Sequence, residues 1–161
     1  MADVAGFAGT PTPELAARWH QFGSVCPLYR SHGTTPREPW AYGPEAEASI
    51  TKSIGLRTSL NAYTMELAAN VTRFGGMIMA PLWFYFPHDA ELHKREVVDS
   101  FMYGPRYLAA PVLEMGLRSR TVYLPLNPGG WVHYYSHEKF VGGANVTVPA
   151  PFDELTLFIR Q

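Results

Sequence analysis

The chain changes its punctuation near Ala80, and that change limits the fold more than any other feature. Before it, apolar residues recur every three to four positions; after it, Pro and Gly break the sequence into short apolar runs. A three-to-four spacing buries one stripe of a helix. Short runs bounded by turn residues suit antiparallel strands. Neither a uniform bundle nor a uniform sandwich fits, so the sequence joins a helical half to a β half.

In the helical half, Thr12 offers an N-cap, with Pro13 at the first helical position and Glu14 in the first turn. Leu15, Trp19 and Phe22 follow at helical spacing, and Gly23 stands where a stop belongs. A second helix opens at Pro44, with Glu45 and Glu47 in its first turn. Ile50, Ile54, Leu60, Tyr63, Leu67, Val71 and Phe74 continue its stripe to Gly75 and Gly76. Gly55 costs about 1 kcal/mol against Ala in a helix interior and marks the expected kink. Arg57 falls on the apolar stripe, which implies a buried partner for its guanidinium rather than a catalytic role.

The β half reads as strands over 77–79, 82–86, 107–113, 121–124, 131–135, 145–148 and 155–159, the pattern of an antiparallel sandwich. The helical half adds one strand end near residues 3–7. Two helices and one strand do not make a self-sufficient fold, so further structure is expected upstream.

Composition narrows the function. With 47% apolar and 17% charged residues the chain can pack a core. A net charge of −1 without a basic tract leaves no footprint for nucleic acid. No apolar run reaches the ~18–20 residues of a membrane span, so no membrane role is expected. The one cysteine, Cys26, excludes an internal disulfide and reads as a small apolar filler.

Histidine clusters are present but poorly arranged for a metal. His88, Asp89 and His93 share a polar turn with no third histidine or cysteine nearby, and His133 and His137 straddle a strand end. Asn70 and Asn145 open glycosylation sequons of little weight by themselves. The first forty residues are more informative. Asp3 to Phe7, a helix carrying Arg18-Trp19-His20-Gln21, then Arg30-Ser31-His32 form an ordered polar and aromatic set. A short strand ending in Asp, then loop, helix and polar loop, is how an α/β barrel presents ligand groups. The stretch LYRSHGTTPREPW is too rich in Gly, Pro and Thr for a regular helix or strand. Taken alone it suggests an exposed His32 on a loop between Arg30 and Arg37.

These residues resemble a known family. DVAGF is similar to the D-(I/V)-G-G-F motif of glycoside hydrolase family 31, the α-glucosidases and α-xylosidases. The resemblance continues in order through ELAARWHQFGSVCPLYRSHGTTPREPW, IGLRTSLNAYTMELAANVT, GGMIMAPLWFYFP, SFMYGPRYLAAPVLEMGLRSRTVYLP, GGWVHYY and VTVPAPFDELTLFIR, covering essentially the whole chain. The RSHG and VTRFGGMIM wording leans toward the α-xylosidase-type branch.

The resemblance implies an α+β fragment: the last strand and helices of a (β/α)8 barrel over 1–82, then an antiparallel proximal β-sandwich over 83–161, expected to be truncated at its end, where the family continues with G-G and another strand. It implies that His32 hydrogen-bonds the sugar in the −1 subsite and that Phe7 lines it, with Asp3 and Arg30 as polar neighbours. The family hydrolyses O-glycosyl bonds of α-linked carbohydrate with retention, using two carboxylates about 5–5.5 Å apart. Those belong to a W-x-D-x-N-E type and a G-D-N type motif, and neither occurs here; Asp89, Asp99 and Asp153 match neither. The expectation is therefore a sugar-contacting piece with no catalytic residue, no cofactor and no metal, inactive without the N-terminal barrel portion. The alternative is a non-catalytic sandwich module that binds carbohydrate or contacts a subunit. An upstream reading frame carrying both carboxylate motifs would exclude that alternative.

The sequence also departs from the family. Thr58, Asn61, Ala62 and Met65 replace residues of L-R-Y-x-L-L-P-Y-x-Y, and Ala80 replaces the arginine of R-P-L. Loss of that arginine and of a helix-breaking proline is expected to disturb the packing between barrel and sandwich.

Overall fold

The computed structural model describes residues 3–94 and 99–161. It has three layers: helices, a six-stranded antiparallel sheet, and a two-stranded sheet. Strands β1 (Asp3–Val4) and β2 (Arg30–Ser31) pair in parallel on either side of helix α1 (Pro13–Ser24). A 3-10 turn (Pro39–Tyr42) leads into α2 (Pro44–Ser59) and α3 (Asn61–Phe74). Two short helices, α4 (Leu82–Tyr85) and α5 (Ala90–Lys94), follow strand β3 (Met79–Pro81). The remaining strands are β4 (Phe101–Tyr103), β5 (Tyr107–Ala109), β6 (Ser119–Leu124), β7 (Trp131–His133), β8 (Lys139–Phe140), β9 (Ala144–Pro149) and β10 (Leu157–Arg160). No helix among the described residues is long and apolar enough to cross a membrane.

The large sheet runs β3-β4-β5-β10-β7-β8, and β6 pairs with β9 in the small one. Side-chain alternation explains the layering. Met102, Leu108 and Phe158 face the small sheet, where Val122, Leu124 and Val148 meet them around Trp131. Their neighbours Tyr103, Tyr107, Ala109 and Leu157 face the helices and meet Val25, Leu56, Leu60 and Leu67. The central strands are thus apolar at successive positions because both faces are covered. A third cluster, Ala5, Ala16, Ala17, Ala46 and Ile50, lets α1 and α2 approach closely.

Polar contacts tie the helices to the sandwich. Arg18, buried in α1, donates to the carbonyls of Pro151 at 2.8 Å and Ala150 at 3.0 Å. Gln21 Nε2 donates to the Phe152 carbonyl at 2.7 Å. Lys52 of α2 reaches Asp153 at 2.7 Å and Glu154 at 2.9 Å. Strand β3 ends at Pro81, before the 82/83 boundary, and pairs with β4 beyond it, so the large sheet draws on both sides.

The structure corrects several local expectations. Thr12 caps α1 as expected, accepting the Leu15 N–H at 3.2 Å, but Gly23 lies inside the helix rather than ending it. A Cβ there would sit 2.7 Å from the Tyr29 ring, so close approach requires this glycine. The long helix breaks at Leu60, not at Gly55. Ser59 donates its hydroxyl to the Leu56 carbonyl at 2.8 Å, a local bond that competes with helix continuation. Ala62 falls in the first turn of α3, where proline is tolerated, so the break persists without the family's proline. Thr58, Asn61, Ala62 and Met65 are all exposed, and Ala80 is buried in β3.

Of the stretch 82–86, Leu82–Tyr85 form helix α4 with Phe86 as its C-cap, rather than a strand. Leu82 and Phe86, four apart, both enter the core while Trp83 stays half-exposed, which is helical spacing. Strands β4 and β8 were not legible, and 107–113 shortens to β5.

Candidate functional site

The site is built on the parallel pair. In that register Asp3 lies opposite Arg30 and Val4 opposite Ser31, so the ion pair between Arg30 and Asp3 follows from strand pairing. Arg30 Nε also donates to Asp3 Oδ1 at 3.1 Å. The stretch read as loop thus contributes a two-residue strand, short enough to hide among its turn formers.

Beyond β1 the backbone turns sharply. Ala5 has φ of 68° and Gly6 of 80°. The left-handed region costs a residue with a Cβ about 1–2 kcal/mol, and the family motif carries glycine at the Ala5 position. Here the Ala5 methyl is buried against Ala16, Ala17 and Ile50, which offsets about 0.8 kcal/mol of that strain. The turn delivers Phe7 to the surface, 52% exposed.

On the second strand the chain continues from Ser31 to His32, also exposed. The Phe7 and His32 rings meet at 5.5 Å between centroids, tilted by 42°. The structure therefore brings together all four residues singled out from sequence: Asp3 with Arg30, and Phe7 with His32. An exposed aromatic beside an exposed imidazole, backed by an ion pair, can offer a hydrogen-bonding group and an apolar face to a polar ring.

The burial of two groups behind this surface was not expected. Arg37, noted in sequence only as a flanking cation, is 6% exposed. It donates to the carbonyls of Gly6 and Gly9 at 2.9 Å each, Thr35 at 3.2 Å and Pro36 at 3.1 Å. Nothing in its sequence neighbourhood signals burial, because a Pro- and Gly-rich loop has no periodicity to read. His20 of α1 is also buried, with Nδ1 2.6 Å from the Tyr29 hydroxyl. Burial pushes its pKa down to about 4, keeping the imidazole neutral.

The other sequence candidates serve the scaffold. Arg57 donates to the Pro27 carbonyl at 3.1 Å, to those of Cys26 and Ser24, and to the Tyr103 hydroxyl at 3.3 Å, so it ties the end of α1 to the large sheet. Cys26 is buried, and burial raises its thiol to about 11. Asp89 accepts from the Tyr123 hydroxyl at 2.8 Å, and His93 Nε2 lies 2.8 Å from the Pro87 carbonyl. Among the described residues no group of three or more His, Cys, Asp or Glu is placed to hold a metal ion.

Residues 1–67 match the glycosyl hydrolases family 31 TIM-barrel domain, and residues 75–161 match the family 31 C-terminal domain. The chain belongs to glycoside hydrolase family 31. It is similar to alpha-glucosidase 2 of Bacillus thermoamyloliquefaciens, at 35% identity over 99% of this chain and 20% of that protein. Among solved structures, a family 31 α-xylosidase from a soil metagenome, complexed with xylose, superposes with a TM-score of 0.92 at 33% identity. That match covers 100% of this chain and 27% of that one. A family 31 dextranase of Flavobacterium johnsoniae, complexed with glucose, gives 0.89 at 33% identity, covering 98% of this chain and 20% of its own. This chain spans about a fifth of the length of the curated family 31 relatives it matches. Its fold is accordingly a piece of the family barrel joined to the C-terminal sandwich.

Proposed function

We propose that the Phe7–His32 surface is part of the sugar-binding subsite of a retaining α-glycosidase of the α-glucosidase or α-xylosidase type. His32 hydrogen-bonds a sugar hydroxyl, Phe7 lines the same subsite, and the Asp3–Arg30 pair fixes the backbone from which both project. The observation that carries this reading is the meeting of Phe7 and His32, on the loops that follow two separate strands, at 5.5 Å. Similarity to an alpha-glucosidase, an α-xylosidase and a dextranase supports the substrate class.

The chain alone is proposed to be inactive. Retaining hydrolysis needs one carboxylate to attack the anomeric carbon and a second to protonate the leaving oxygen. Neither family motif supplying those groups occurs in the sequence. The purified chain is expected to give no release of nitrophenol from aryl α-xyloside or α-glucoside. Turnover by protein free of host glycosidase, abolished by His32→Ala, would overturn the inactivity.

A further inference from the structure

We propose that Arg37 is the positioning residue of this site: its buried guanidinium clamps the two loops that carry Phe7 and His32, setting the spacing of that pair. The inference rests on the sugar-subsite reading for its functional meaning, but its geometry stands apart from it.

Phe7 and His32 lie on different segments, and no hydrogen bond between their own side chains fixes their separation among the described residues. The bridge runs behind them. From the His32 side, Arg37 sends Nε to the Gly6 carbonyl at 2.9 Å and Nη2 to the Gly9 carbonyl at 2.9 Å. Those carbonyls flank Phe7. Its Nη1 turns back to its own loop, to the Pro36 carbonyl at 3.1 Å and to Thr35. The planar guanidinium spans both loops because its five N–H groups diverge in a fixed fork. A lysine ammonium, whose three N–H groups share one nitrogen, cannot reach all of these oxygens together.

Among the described residues, its side-chain hydrogen bonds all go to carbonyls and one hydroxyl, so backbone dipoles stabilise the charge. Gly33, the residue after His32, completes the clamp. A Cβ on it would lie 2.8 Å from Arg37 Nε and 2.8 Å from the Phe7 carbonyl oxygen. Only a residue without a side chain lets the His32 loop close onto the guanidinium. The Thr34 N–H, donating to the Phe7 carbonyl at 2.8 Å, and the Thr35 hydroxyl, donating to the Gly9 carbonyl at 2.8 Å, are direct contacts that this closure permits.

The test is NMR of the chain with 13C-labelled histidine. The ring-current displacement of His32 is defined as the difference between wild type and Phe7→Leu. Arg37→Lys and Gly33→Ala are each expected to remove more than half of it. Arg57→Lys serves as the control, because Arg57 also holds backbone carbonyls but in the loop after α1; it should leave the displacement intact. Full displacement in Arg37→Lys overturns the proposal, as does an equal loss in Arg57→Lys, which would signify general loosening. If Arg37→Lys does not fold, Gly33→Ala decides, and an undiminished displacement there overturns it. Adding methyl α-xyloside or methyl α-glucoside to wild type reads the sugar contact separately. A silent His32 would remove the subsite reading and leave the clamp standing.

Discussion

The large sheet and the β1–β2 pair are held together by different physics. In the sheet, Met102, Leu108 and Phe158 face one way while Tyr103, Tyr107 and Leu157 face the other, and both faces are buried. Around β1 and β2, only Val4 and Ala5 are buried at the strand ends, and an arginine fork and an ion pair fix the geometry. The first region is stabilised by area removed from water, which is additive and tolerant of detail. The second is set by directional hydrogen bonds and depends on single atoms. Sites built on exposed loops need that second kind of order.

The sharpest way to break this contrast is to empty each region in turn. Phe158→Ala, at the centre of both β5 and β7 pairing, is expected to cost about 3–5 kcal/mol by denaturant melt. A cost near zero would deny the sheet its role as the main store of stability.

Acid should reveal the buried histidine behind the site. Because the folded pKa of His20 is lowered to about 4 from 6.5, the unfolded chain binds the extra proton between those values. The neutral ring's contribution is therefore complete above pH 6.5 and lost as pH falls toward 4, to the extent of about 3 kcal/mol. His20→Gln should flatten that limb in pH-dependent melts. Burial also lowers the pKa of His133, so a shallower slope of the same sign should remain. An unchanged limb would assign the acid sensitivity elsewhere.

Gly23→Ala sharpens the comparison from the helix behind the site, since its new methyl would press on the Tyr29 ring. Overpacking of this kind costs about 1–3 kcal/mol. Thr12→Ala, removing one cap bond from α1, should cost about 1 kcal/mol. Arg30→Met is expected to cost less than about 1 kcal/mol, because its ion pair with Asp3 is half-exposed. If Arg30→Met matched Phe158→Ala in melts, the division between the two regions would fail.

The same division explains what could be read from sequence. Strands with regular apolar runs, such as β6 and β10, announced themselves, as did the capped start of α1. The turn at Leu82 misled, because a single helical turn of aromatics looks like a strand until the four-residue spacing of Leu82 and Phe86 is seen in the core. Strand β8 carries Lys139 and a half-buried Phe140, too little pattern to register. In the site, Asp3, Phe7, Arg30 and His32 were found through motif resemblance, since exposed residues leave no periodic trace. Arg37 stayed hidden for the opposite reason: its burial comes from loop closure, which depends on contacts from Gly6 and Gly9, 31 and 28 positions away.

The most direct test is a titration of the 13C-histidine-labelled chain with methyl α-xyloside and methyl α-glucoside, following all six histidines. The account predicts a saturable displacement of the His32 signals by at least one of the two sugars, diminished in Phe7→Leu, while the buried His20 and His133 stay in place. His32 signals that ignore both sugars to saturation of the solvent, or that move no more than those of the other histidines, would contradict it.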